Sequence, residues 1–182
     1  MPTRALDAIY RAAGVLAGIF LVAICVIVCA QIVARQFQAI IPSADQFAGF
    51  CLAATSFLGL AYSFRSGSHI RVTLFVRALG GTAQRLALIA ALGIAAAITG
   101  VLAWHTVAMV WQNFSRGEVT SGLVPVPLWL PQAAMAIGLA LFALAVVEDL
   151  VRVLLGHPPE FEAAEAANEI SAEPVDGSAD AP

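Results

Sequence analysis

Polar and apolar positions do not alternate along this chain; they come in long blocks. Four stretches carry no Asp, Glu, Lys or Arg, namely 12–34, 46–64, 86–115 and 119–147, which run to 23, 19, 30 and 29 residues. Each can hold the roughly 20 predominantly apolar residues that take a helix across the hydrocarbon core of a bilayer. Spans are expected at about 12–34, 47–64, 86–111 and 128–148. The period-two alternation of a membrane barrel is missing, and helices satisfy every backbone group within one segment. The pattern predicts an all-α integral membrane protein with four transmembrane helices.

The flanks of these blocks set their ends. The first is too long for a signal peptide, whose apolar region runs to about 7–15 residues. It is bracketed by Arg11 and Arg35 and contains twelve Val, Ile, Leu or Phe residues. At the bilayer centre these favour insertion by about 4–7 kcal/mol in sum. Pro42 ends the structure before span 2, where Ser43 or Asp45 can cap the new helix through its side-chain oxygen. Pro127 and Pro131 fit the start of span 4, because a helix's first turn needs no internal N–H donors.

Composition narrows the class further. Of 182 residues 60% are hydrophobic and 12% charged, against about 25% charged in ordinary globular chains. A soluble enzyme, a nucleic-acid binder and a disulfide-rich secreted module are excluded. The net charge of −3 hides two regions. Residues 1–156, the four-helix membrane domain, hold nine Arg and five acidic residues; residues 157–182 hold seven acidic residues and no basic one. That acidic tail has the composition of a solvated, disordered cytoplasmic terminus.

The arginines also orient the spans. With the N-terminus inside, the cytoplasmic side collects Arg4, Arg11, Arg65, Arg71, Arg77, Arg85 and Arg152, and the outside only Arg35 and Arg116. This bias predicts that both termini are cytoplasmic. Trp111 and Trp129 then fall at the outer interface, and Tyr10 and Tyr62 at the inner one. Between spans 2 and 3, the turn Ser66-Gly67-Ser68 leads into His69-Ile70-Arg71-Val72-Thr73-Leu74-Phe75-Val76-Arg77-Ala78-Leu79. Its apolar positions and flanking arginines fit a short amphipathic helix lying in the inner interface. Arg71 and Arg77 serve orientation equally well.

Little chemistry is on offer. Asp45, Glu148 and Asp149 fall at span ends, where carboxylates can reach water, so no acidic or basic group stands at a span centre as an ion-coupled carrier would need. His105 alone among three histidines lies in a span, which leaves a paired-histidine haem site unsupported. It is expected to be a neutral, hydrogen-bonded imidazole. Cys25, Cys29 and Cys51 sit in apolar helix, as buried small hydrophobes would. No catalytic, substrate, metal or cofactor residue is assigned, and no cofactor is expected. What remains is packing surface: Gly14-x-x-x-Gly18, Gly93-x-x-x-Ala97 and Ala96-x-x-x-Gly100 let another helix approach closely.

Residues 5–156 resemble the small membrane subunit, the DctQ type, of tripartite ATP-independent periplasmic (TRAP) transporters. The likeness rests on four spans in a short chain, on Gly67-Ser68-His69-Ile70-Arg71-Val72 after span 2, and on Thr120-Ser121-Gly122 followed by Pro125-Val126-Pro127-Leu128-Trp129 before span 4. Thr73 departs from the pattern, since many relatives are expected to have an acidic residue there. The resemblance implies a scaffold subunit for organic acid uptake in a bacterial inner membrane. It would pack against a large multi-spanning membrane subunit that carries the sodium and substrate sites, and would help dock a periplasmic substrate-binding protein. Membrane lipid is the remaining partner and nucleic acid is not one. Candidate partner contacts are Gly14 and Gly18 in span 1 and Arg116 and Glu118 in the loop Asn113–Trp129, with Gln36–Asp45 as the second outer loop. Two other readings stay open: a four-helix anchor of a respiratory or redox complex, and a self-assembling carrier or channel.

Overall fold

The computed structural model describes residues 3–66 and 81–156. They form four helices: α1 (Thr3–Gln36), α2 (Ala44–Arg65), α3 (Gly81–Arg116) and α4 (Trp129–Leu154). All four are long and apolar enough to cross a membrane, so this is a multi-pass membrane protein. Among the described residues there is no strand, only an isolated antiparallel bridge between Val119 and Pro127. The expected interfacial helix, with Gly67, His69 and Arg71, and the acidic tail lie outside the described residues.

The first three helices outrun their charge-free blocks at both ends, and α4 outruns its block at the C-terminal end. At 34 and 36 residues, α1 and α3 are about 51 and 54 Å long at 1.5 Å per residue, well beyond a hydrocarbon core about 30 Å thick. Pro131 occupies the third position of α4, as a first turn without internal donors permits.

The cap expected of Ser43 or Asp45 does not form. Ser43 is left-handed (φ 58°) and makes no side-chain cap. Its Oγ accepts the Val124 N–H at 3.0 Å, while the Asp45 carboxylate accepts the Gln31 amide at 2.8 Å. Both oxygens are taken up by contacts between segments, and only the Ser43 carbonyl serves the helix, accepting from Phe47 N.

Extensive contacts run from α1 to α2, from α2 to α4 and from α4 to α3. The helices therefore stand in the order α1, α2, α4, α3, with α2 and α4 between the other two. The core is correspondingly thin and built from small residues. Ala13, Ala17, Ala54 and Leu58 join α1 to α2, with Phe20, Ala134 and Leu141 packed against them. Leu88, Leu92, Val146 and Val153 join α3 to α4. Tyr10, Ala61 and Ala145 close the end at which α1 begins. Small side chains let backbones come close, which gives dispersion contact without the help of water exclusion. At Gly138 the approach is tightest, since a Cβ there would stand 2.5 Å from the Phe57 carbonyl carbon of α2.

Three expectations about burial are corrected. Asp149 is 2% exposed, because α4 continues to Leu154 and holds it inside the helix rather than at its end. Cys25 and Cys29 are exposed rather than buried, since α1 has a neighbour on one side only. His105 is also exposed and, among the described residues, makes no hydrogen bond, because its face of α3 points away from α4.

Candidate interaction surfaces

At the end where α3 gives way to α4, the connecting segment is an ordered hairpin rather than a loose loop. Gly117, with φ 64°, makes the turn out of α3, a conformation that costs a residue without Cβ little. Glu118 N donates back to the Asn113 carbonyl at 3.1 Å, Thr120 N to Val126 O at 2.9 Å, and Leu128 N to Glu118 O at 3.0 Å. Val126 N donates to Thr120 Oγ1 at 3.0 Å. Donors are thus spent at Val124, Val126 and Leu128, and the intervening positions, Pro125 and Pro127, have no N–H to satisfy. That is the physical sense of the alternating prolines. Trp129 then opens α4 with its ring edge-on to Phe114, centroids 5.5 Å apart. Asn113 Nδ2 donates to Gln132 Oε1 at 2.6 Å and ties the two helices together.

The hairpin is seated on α2. Val124 reaches Ser43, and Gly122 lies so close to the Gln46 side chain that a Cβ at this position would collide with it. An open recess of about 480 Å³ runs between them, lined by Gln46, Val119, Thr120, Ser121, Gly122 and Leu128. Arg116 and Glu118 stand beside it as an exposed pair 3.6 Å apart. Phe37, Ile40 and Leu123, at 79%, 88% and 84% exposure, are the most solvent-facing large apolar residues at this end.

The opposite end is held by charge. Arg65, at the end of α2, donates to Asp7 of α1 at 3.0 Å and to Glu148 of α4 at 2.8 Å. Its guanidinium lies 5.2 Å from the centre of the Tyr10 ring. Arg152 adds a second contact to Glu148 at 3.3 Å, and the Tyr10 hydroxyl donates to the Leu141 carbonyl at 3.4 Å. One planar, permanently charged fork thereby fixes three helices at once. Arg85 does related work for α3, donating to the Val153 and Leu154 carbonyls at the C-terminus of α4, the first of which also accepts from Gly156 N. Spacing alone did not reveal this cluster; the nearest signal was that Asp7, Arg65 and Glu148 all flank predicted spans.

The glycines divide between inner and outer use. Gly14 takes the Tyr62 ring, 2.7 Å from where a Cβ would be, so it serves contact within the chain. Gly18, Gly93 and Gly100 meet nothing within 4 Å and face outward. The outward side of α1 is aliphatic, with Val15, Ile19, Val22 and Val26 each more than half exposed. That of α3 adds Trp104 and Trp111 to Ile94, Ile98 and Val101. Among the described residues, no three of His, Cys, Asp and Glu cluster so as to hold a metal ion.

Searches among curated proteins and among solved structures return no match. A family model, described as "Tripartite ATP-independent periplasmic transporters, DctQ component", matches residues 24–156. The match runs from the middle of α1 through the hairpin to the end of α4, well over half of the chain. With four membrane-spanning helices inside it, the chain belongs to the DctQ family, the small membrane subunit of TRAP transporters.

Proposed function

We propose that this subunit is a scaffold for organic acid uptake, packing against the large transport subunit and offering part of the surface on which a periplasmic binding protein docks. The observation that carries this reading is the row of helices. A chain with α1 and α3 at its flanks leaves two long apolar faces open, and contiguous exposed apolar surface of that size marks contact with lipid or with another membrane protein. Gly14, placed against Tyr62, is spent within the chain, whereas Gly18 stands on the open face of α1. The arginine bias supports cytoplasmic termini, an inner-membrane location and a periplasmic hairpin. On that orientation Arg116, Glu118 and the recess above Gln46 face the binding protein, and Pro125, Pro127 and Trp129 hold the hairpin in place for it.

Tagged purification from native membranes in mild detergent, with companions identified by mass spectrometry, tests the reading. One large multi-spanning protein in roughly equal amount is expected. Recovery of this chain alone, as a homo-oligomer, would overturn it.

A further inference from the structure

The charged end of the molecule contains a second, smaller recess. It is open, about 140 Å³ in volume, and lined by Asp7, Tyr10, Arg11, Tyr62, Arg65 and Ser66. Most of its polar groups are already committed. Arg65 is spent on Asp7 and Glu148, with its side chain only 9% exposed, and the Tyr10 hydroxyl is spent on Leu141. Two donors are left. Among the described residues, neither the Arg11 guanidinium nor the Tyr62 hydroxyl makes a hydrogen bond or an ion pair. Tyr62 is nonetheless held in place, because its ring is wedged against Gly14 while 44% of the residue stays exposed.

Arg65 is shared between Asp7 and Glu148, and Arg152 also contacts Glu148, which leaves Arg11 as the lining cation with no acidic partner among the described residues. A guanidinium fork and a phenol beside it, both donors and net positive, suit a phosphate-type oxyanion, whose oxygens accept several hydrogen bonds at once. The location narrows the ligand further. Arg11 is the last charge before the block 12–34, so the recess stands where headgroups meet hydrocarbon. Val15, Gly18 and Val22 follow Arg11 at i+4, i+7 and i+11, which keeps them on its face of α1. Val15 and Val22 are 59% and 63% exposed, and Gly18 has nothing within 4 Å. An anion site at the head of an open aliphatic track fits an amphiphile; a free anion has no use for the track.

We propose that Arg11 and Tyr62 bind the phosphodiester of a glycerophospholipid, one of whose acyl chains lies along Val15, Gly18 and Val22. The site belongs to this chain's own α1 and α2 and does not depend on the scaffold role.

The test is native mass spectrometry of the full chain, purified with whatever companions it retains, then delipidated and titrated with phosphatidylglycerol. One tightly held phospholipid is expected. Arg11→Gln, which removes an exposed charge without breaking any bond in the fold, should weaken it about tenfold or more, as loss of a charged hydrogen bond does. Tyr62→Phe keeps the ring against Gly14 and should weaken it by about threefold, in line with a neutral hydrogen bond. Arg116→Gln, at the other end, should leave binding unchanged. Equal affinity in wild type and Arg11→Gln would overturn the site, as would an equal loss in Arg116→Gln. Displacement of the lipid by millimolar inorganic phosphate would overturn the lipid assignment in favour of a free anion.

Discussion

Gly138 of α4 crosses Phe57 of α2 with so little room that an added Cβ would fall 2.5 Å from the Phe57 carbonyl carbon and 2.6 Å from its oxygen. The obstacle is backbone, which cannot swing aside as a side chain does. Gly138→Ala should therefore push the two central helices apart at a cost of roughly 1–3 kcal/mol, the usual range for overpacking. At Gly100, where nothing lies within 4 Å, the same change should be neutral or mildly stabilising, since alanine is the better helix former by about 1 kcal/mol. Thermal unfolding of the detergent-solubilised protein separates the two. Equal midpoints for both variants would show that the crossing is not tight.

Arg65 should behave as the keystone of the charged end. Arg65→Met strands Glu148, while the half-exposed Asp7 keeps its water, and removing one partner of a buried pair costs roughly 3–5 kcal/mol. The low end of that range is expected, because the Glu148 side chain keeps 19% exposure and retains Arg152. Glu148→Met should cost less, as Arg65 still has Asp7. The double variant should recover part of the sum, since no stranded Glu148 charge is left. A double-mutant cycle measured by denaturant unfolding checks this. Additivity within about 0.5 kcal/mol would mean that the two residues are not coupled.

The four helices were legible in the sequence because each charge-free block has the length of a bilayer crossing, and the hairpin's prolines were visible as a motif. Their meaning was not. Pro125 and Pro127 make sense only once Val124, Val126 and Leu128 are seen to donate to Ser43, Thr120 and Glu118. The tight crossing at Gly138 was hidden for a different reason. Alanine-rich helices offer small-xxx-small spacings at many places, and spacing does not say which face meets a neighbour; Gly14 found one, Gly18 did not. Arg65 and Glu148 are 83 residues apart, and a chain read in one dimension shows only that both flank spans. The exposure of Cys25 and Cys29 follows from the order of the helices, which hydropathy does not encode.

Orientation can be checked with single cysteines introduced after the three native ones, all in apolar helix, are replaced. Glu118→Cys in the hairpin and Leu155→Cys just past α4 are exposed positions at opposite ends. On intact spheroplasts an impermeant maleimide should label Glu118→Cys at once, and Leu155→Cys only after permeabilisation. The reverse pattern would invert the assignment drawn from the arginines.

The hairpin's docking role has its sharpest test in Arg116 and Glu118. The pair is 3.6 Å apart with side chains 67% and 43% exposed, and an exposed pair of this kind contributes about 0–1 kcal/mol to stability. Exchanging the charges, Arg116→Glu with Glu118→Arg, keeps the pair and should leave the fold intact while inverting the local field. Charges at the rim of an interface act mainly on the rate of encounter. Association of the binding protein with the assembled transporter should then slow by about tenfold at low salt and converge on wild type as salt screens the field. Gly122→Ala meets chiefly the flexible end of the Gln46 side chain, which can swing aside, so it should leave the hairpin seated on α2 and association close to wild type at any salt. Uptake and encounter rates unchanged in the charge exchange would place the docking surface elsewhere. A loss that salt does not relieve would make Arg116 and Glu118 structural props of the hairpin rather than a surface read by the partner.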